Sequence, residues 1–127
     1  MSPGAGIATQ AQASVIERIC SVVIPALCPR RMILIGSRAR CDAAPDSDYD
    51  LVVEFDRVDD AMGRAASIYA LCGDRDYALD VVIRVAGEIE RSAHDPGSID
   101  WDIVREGRVV YSATGSYDLP MARTRAR

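Results

Sequence analysis

The chain has 127 residues, 49% of them apolar and 27% charged, the size and balance of one folded domain rather than a disordered or fibrous chain. A net charge of −4 argues against a broad nucleic-acid-binding face, which needs a basic surface, although a local arginine cluster could still hold one nucleotide. All fifteen basic side chains are arginines, so a P-loop, a protein kinase and a pyridoxal Schiff base are excluded for want of lysine, and the single histidine, His94, excludes a histidine-rich zinc centre.

After a flexible start over residues 1–8, Thr9 and Gln12 form a T-x-x-Q capping box. Ile16, Ile19, Val23 and Leu27 then recur at helical spacing, with Val15 and Val22 widening the stripe, and Pro25 is expected to end or kink the helix. Residues 32–35 are a short apolar run that predicts a buried strand stopping at Gly36–Ser37, and residues 38–47, with Pro45, read as an irregular loop. Residues 48–55 alternate and predict a second strand, with 48, 50, 52 and 54 on one face and 49, 51, 53 and 55 on the other.

Asp59 and Asp60 are placed to cap a helix whose buried stripe is Met62, Ala65, Ala66, Tyr69 and Cys72, with Gly73 as its stop. Residues 77–84 predict a third strand, with Tyr77, Leu79, Val81 and Ile83 on one face and Asp80 on the other. Residues 86–94 are weakly patterned and read as a short helix. Ser98 is expected to cap another, with Asp100 and Asp102 in its first turn, Arg105 near its end and Gly107 closing it. Residues 109–111 predict a final short strand, and residues 116–127 read as a disordered tail, which leaves one domain over residues 9–115.

The cysteines, Cys20, Cys28, Cys41 and Cys72, show neither C-x-x-C spacing nor a compact disulfide framework, and Cys20 and Cys72 fall on apolar faces as reduced core residues. The opening MSPGAGIATQ does not read as a signal peptide, and the apolar run over residues 19–27 is too short to span a bilayer, so a cytoplasmic location is expected.

The chemistry-bearing stretch is "LIGSRARCDAAPDSDYDLVV", residues 34–53. Period two puts Asp48 and Asp50 on one face of a strand, about 7 Å apart along it, within reach of one divalent cation. Asp80 stands alone among apolar residues on another predicted strand and completes the cluster if the two strands are neighbours. Three converging carboxylates raise one another's pKa unless a cation offsets them, and oxygen-only ligands suit magnesium or manganese. Calcium fails, because an EF-hand loop opening at Asp46 would need glycine and glutamate where Leu51 and Arg57 stand. Asp42 and Asp46 read as solvated turn residues. A glycine at a strand end lets a phosphate approach the backbone, and the hydroxyl of Ser37 adds a donor.

Gly36–Ser37, ten residues, then Asp48-x-Asp50, with Asp80 in "LDVV", resembles the nucleotidyltransferase superfamily that includes DNA polymerase beta. "GSRAR", "PDSDYDLVV" and "IVREGRVVY" are more closely similar to its minimal nucleotidyltransferase (MNT) antitoxins, encoded beside HEPN-domain toxins. The resemblance implies an α+β fold, a small mixed sheet with helices packed on one side. It implies two magnesium ions held by Asp48 and Asp50, with Asp80 on the second ion and near the attacking hydroxyl, and ATP as substrate. Gly36 and Ser37 would steady its β- and γ-phosphates. Without lysine, neutralising the leaving group falls to arginine, and Arg38 and Arg40 are nearest, although both read equally well as solvated loop charges. The family usually has glycine where this chain has Cys41, which puts the course of that loop in question.

Three functions follow as expectations. The first is an antitoxin that transfers AMP to a hydroxyl, expected to be a tyrosine's, of a HEPN toxin, without direct nucleic-acid or membrane binding. The second is a non-catalytic antitoxin that neutralises the toxin by occlusion, and the third a small-molecule nucleotidyltransferase. The chain is not expected to be the toxin itself, because Arg91 and His94 are too close for an Arg-x4-6-His ribonuclease motif, and His94 is not expected to be catalytic.

Overall fold

The computed structural model describes residues 10–119. Their elements run α1 (Gln10–Leu27), β1 (Arg31–Ile35), α2 (Gly36–Arg40), β2 (Tyr49–Phe55), α3 (Ala61–Cys72), β3 (Leu79–Val85), α4 (Glu88–Ser92), α5 (Ile99–Glu106) and β4 (Arg108–Ser112). The expected flexible start, Thr9 of the capping box and the tail from residue 120 lie outside the described residues. No helix among the described residues is long and apolar enough to cross a membrane.

α1 buries Ile19 and Val23 of the predicted stripe together with Val15 beside it, whereas Ile16 and Leu27 are only partly buried. Pro25 does not end it. The proline sits in the last turn, where the backbone bonds of the preceding turns are already made, and the helix continues to Leu27. The chain leaves through Cys28, in a left-handed conformation (φ 51°), whose N–H donates to the Ile24 carbonyl at 3.0 Å.

The four strands form one sheet in the order β3-β2-β1-β4. β1 is antiparallel to both β2 and β4, whereas β2 and β3 are parallel, with α3 supplying the crossover that a parallel pair requires. Alternation then sorts the side chains. Met32, Leu34, Tyr49, Leu51, Val53, Phe55 and Leu79 pack with α1 and α3, and Ile33 and Val52 pack with Ile89, Ala93, Ile103 and Val104 of the α4–α5 region. Helices on one side therefore describes the two long ones. The opposite face, apolar through Ile33, Val52 and Val82, is covered as well, by α4 and α5. Leu119 joins this second cluster, so packing continues past residue 115, the expected end of the domain.

At the end of the strands away from the aspartates, this second face carries buried charge. Glu54 is 1% exposed and accepts from Arg31 Nε at 2.8 Å and Nη2 at 3.1 Å. Asp100, expected only as a first-turn acid of α5, is 2% exposed and accepts from Arg84 Nε at 2.8 Å, which ties α5 to β3. Burying either acid without its arginine would leave an unpaired charge, so each pair acts as a register lock on its helix or strand. Ser98 caps α5 as expected, accepting from the Trp101 N–H at 3.2 Å, and Asp60 caps α3, accepting from the Gly63 N–H at 3.0 Å.

α3 differs from expectation in phase. Ile68 is fully buried at its centre, with Ala65, Tyr69 and Cys72 partly buried around it, whereas Met62 is 84% exposed and Ala66 is exposed. Residues 65, 68, 69 and 72 form the i, i+3, i+4, i+7 set, and Met62, in the first turn, lies at the edge of that arc. Ile68→Ala should therefore lower the unfolding free energy by about 2–4 kcal/mol, and Met62→Ala by less than about 0.5 kcal/mol, in urea denaturation at pH 7. Equal effects would show that the helix buries a different face.

Candidate active site

Strand register alone assembles the site. β1 places Ile35 opposite Asp50, so Gly36, the next residue, leaves the sheet beside that aspartate. β3 places Asp80 opposite Asp50 on its other side. Asp50 and Asp80, thirty residues apart, become neighbours across the parallel pair. Asp48 is exposed and stands one residue ahead of β2, which starts at Tyr49 rather than at 48.

The carboxyl of Asp50 is pushed above its ordinary range, first by burial, then by the charges of Asp80 and Asp48, and then by the hydrogen bond with Asp80. Among the described residues, no ion pair includes Asp48, Asp50 or Asp80, although eleven arginines lie within the stretch from Arg18 to Arg105. Nor, among the described residues, do three carboxylate, histidine or cysteine side chains converge tightly enough to hold a metal ion as they stand. Asp48, Asp50 and Asp80 offer oxygen donors only, the type a hard divalent ion takes, and no ion pair among the described residues offsets their charge.

Gly36 explains itself at this point. Its φ is +75°, and a Cβ there would lie 2.5 Å from Asp50 Oδ2. Both the backbone conformation and the close approach of the carboxylate require glycine. Residues 38–40 do not open an irregular loop but form, with Gly36 and Ser37, a short helical turn whose beginning receives no side-chain cap. Ser37, half-buried, sits in that turn. Cys41 ends it in the left-handed region (φ 65°, ψ 29°), the conformation glycine adopts without cost. The loop therefore keeps the course a glycine would give it, and the cysteine bears the strain. Arg108 Nη1 lies 3.1 Å from its Sγ.

The two arginines of GSRAR separate in role. Arg40 is exposed and reaches Asp42 at 3.2 Å and Glu106 at 3.1 Å, at the surface near the turn. Arg38, expected to meet phosphate, does not present its guanidinium to the aspartates. It is 8% exposed, donates from Nη2 to the carbonyls of Pro45 and Ser47, and lies over the ring of Tyr49, on the face of β2 opposite Asp50. It also helps line a cavity of about 870 Å³ bounded by Arg18, Asp46, Tyr49, Arg75 and Tyr77, to which none of Gly36, Ser37, Asp48, Asp50 or Asp80 contributes. His94 is exposed in the turn after α4.

A mixed sheet that carries a glycine–serine turn beside two facing carboxylates defines a class, the nucleotidyltransferase-like α+β domains. Residues 16–106 match the family model described as "Nucleotidyltransferase domain", and the chain belongs to that family. No curated protein matches it. Among solved structures, it is similar to a protein from Sulfolobus solfataricus assigned as a nucleotidyltransferase, at 18% identity and TM-score 0.50, covering 84% of this chain and 81% of that one. It is also similar to a chain of the MntA–HpeT toxin–antitoxin pair, crystallised as a double aspartate-to-glutamate mutant, at 13% identity and TM-score 0.53, covering 77% and 73%. At these identities the likeness concerns the fold.

Because the folded state raises the pKa of Asp50, it binds more protons than the unfolded chain, and stability falls as pH rises from the ordinary carboxyl range through the raised value. Asp50→Asn cannot ionise and should therefore raise Tm at pH 7 in the presence of a chelator, with the gain shrinking as pH falls through the raised value and gone below about pH 4. Thermal unfolding followed by circular dichroism across that range checks this. A lower Tm at pH 7 would show that the carboxylate is stabilised by something other than its neighbours.

Proposed function

We propose that this chain is an antitoxin that transfers AMP from ATP to a hydroxyl, that of a tyrosine, on a HEPN-type toxin in the cytoplasm. The observation that carries the reading is the side-by-side pair Asp50 and Asp80, held by strand register next to Gly36 and left without an arginine. Membership of the nucleotidyltransferase domain family supports the chemistry, and the fold shared with a chain of a toxin–antitoxin pair supports the biological setting.

Asp48 and Asp50 would hold two magnesium ions, and Asp80 would contribute to the second. The ions would supply charge neutralisation at the transferring phosphoryl group and the departing pyrophosphate. Gly36 lets a phosphate come close to the backbone, and the hydroxyl of Ser37 donates to it. Arg40, free to leave Asp42 and Glu106 at the surface, offers its guanidinium to the β- and γ-phosphates. Asp80 accepts the proton of the acceptor hydroxyl. The hydroxyl oxygen attacks the α-phosphorus in line, the bond to the bridging oxygen breaks, and pyrophosphate leaves.

The test is incubation of the chain with α-labelled ATP, magnesium and the protein encoded by the neighbouring gene. Wild type should label that protein, and Asp48→Ala/Asp50→Ala should reduce the rate by at least about 100-fold, the scale expected when the groups that stabilise a transition-state charge are removed. Absence of label with wild type contradicts the reading. Protection of cells by the double mutant would mean neutralisation by occlusion instead, and label on a small-molecule acceptor without any protein partner would mean a small-molecule transferase.

A further inference from the structure

We infer that Arg38 is a positioning residue: it clamps the segment that carries Asp48 and Asp50 rather than binding phosphate. What that segment is for rests on the nucleotidyl-transfer reading, but the clamp does not. Both hydrogens of Nη2 are spent, on the carbonyl of Pro45 at 3.1 Å and that of Ser47 at 2.9 Å. The guanidinium carbon lies 4.2 Å from the centroid of the Tyr49 ring, within cation–π range. Nε is enclosed and has no hydrogen-bond partner among the described residues, so it is not presented to a ligand in solvent. The backbone of Arg38 is itself held, its carbonyl accepting from Gln12 Nε2 of α1 at 3.2 Å.

These contacts bracket the catalytic segment. Ser47 precedes Asp48, and Tyr49 separates Asp48 from Asp50, so one side chain grips both neighbours of Asp48. The loop closes on itself behind that grip, with the Ser47 N–H donating to the Ala44 carbonyl at 3.0 Å and Ser47 Oγ accepting from the Ala44 N–H at 2.9 Å. On the far side, the Tyr49 N–H donates to the Ala78 carbonyl at 2.8 Å, two residues before Asp80. Arg38 therefore joins the glycine–serine turn to the first aspartates, and Tyr49 passes that placement on to the strand of the third. A planar fork with two donors on one nitrogen and a face against a ring performs this task. A lysine ammonium is a point charge and does not reproduce it.

The full-length chain is compared as wild type, Arg38→Lys and Arg38→Met. Amide hydrogen exchange at residues 47–49 should accelerate about tenfold or more in both variants, the effect of losing hydrogen bonds to a charged donor, while Ile33 and Leu34 in β1 keep their protection. Affinity for Mn2+ alone, followed by the electron-spin signal of the free ion, should fall at least about fivefold, as when support behind metal ligands is removed. With ATP, kcat should fall while KM stays within about twofold, because uniform binding of the nucleotide is untouched. A raised KM for ATP with unchanged exchange and Mn2+ affinity would make Arg38 a phosphate ligand and overturn the inference. Protection lost equally in β1 would overturn it too, reducing Arg38 to a core residue, and the milder Arg38→Lys keeps that comparison readable if Arg38→Met does not fold. A wild type that binds no Mn2+ and transfers no nucleotide sinks the nucleotidyl-transfer reading instead, and exchange at 47–49 against β1 then decides the clamp by itself.

Discussion

One row across the sheet, Ile35 opposite Asp50 and Asp50 opposite Asp80, is the constraint on which the rest of this molecule depends. A shift of one residue in either pairing would turn a carboxylate to the other face, into the cluster of α1 and α3. The apolar alternation prevents that shift. Leu51, Val53 and Phe55 must face α1 and α3, which commits Asp50, Val52 and Glu54 to the other side. β3 repeats the pattern, with Leu79, Val81 and Ile83 inward on the first face and Asp80, Val82 and Arg84 on the second. Hydrophobic burial thereby holds two like charges side by side, which neither would choose.

The second face divides into three zones along the strands. At one end Asp50 and Asp80 are uncompensated, in the middle Val52, Val82 and Ile33 pack with the short helices, and at the far end Glu54 and Arg84 meet Arg31 and Asp100. Arginine pairs with the acids buried at the far end, and among the described residues none pairs with Asp50 or Asp80. Such an arrangement costs stability at the aspartate end, and the raised pKa of Asp50 is the mark of that cost.

Local order and face alternation were legible in the residue pattern. The strand around 49–55, the caps at Asp60 and Ser98 and the stop at Gly73 all rest on short-range chemistry, and the outcomes match. Met62 and Ile68 show where that reading stops: both are apolar, and only packing against the sheet decides which one a helix buries. The buried pairs Arg31–Glu54 and Arg84–Asp100 join residues sixteen or more positions apart, and no local signal marks them. Arg38 is the clearest case. Its place two residues after Gly36 suggested a phosphate contact, yet the chain returns at Pro45–Ser47 and supplies carbonyls that hold its Nη2. Cys41 shows the converse, a left-handed position filled by a residue that tolerates it poorly, because the turn is specified by its surroundings.

Carbon-detected NMR titration of the side-chain carboxyl of Asp50 tests the central claim most directly, with and without magnesium and an ATP analogue that cannot be cleaved at the α-phosphate. Without the ion Asp50 should titrate above the ordinary carboxyl range, and with ion and analogue it should remain ionised to lower pH, since a bound cation favours the charged form. Titration curves that magnesium leaves unmoved would contradict the account, because the paired carboxylates would then be an accident of register rather than a site.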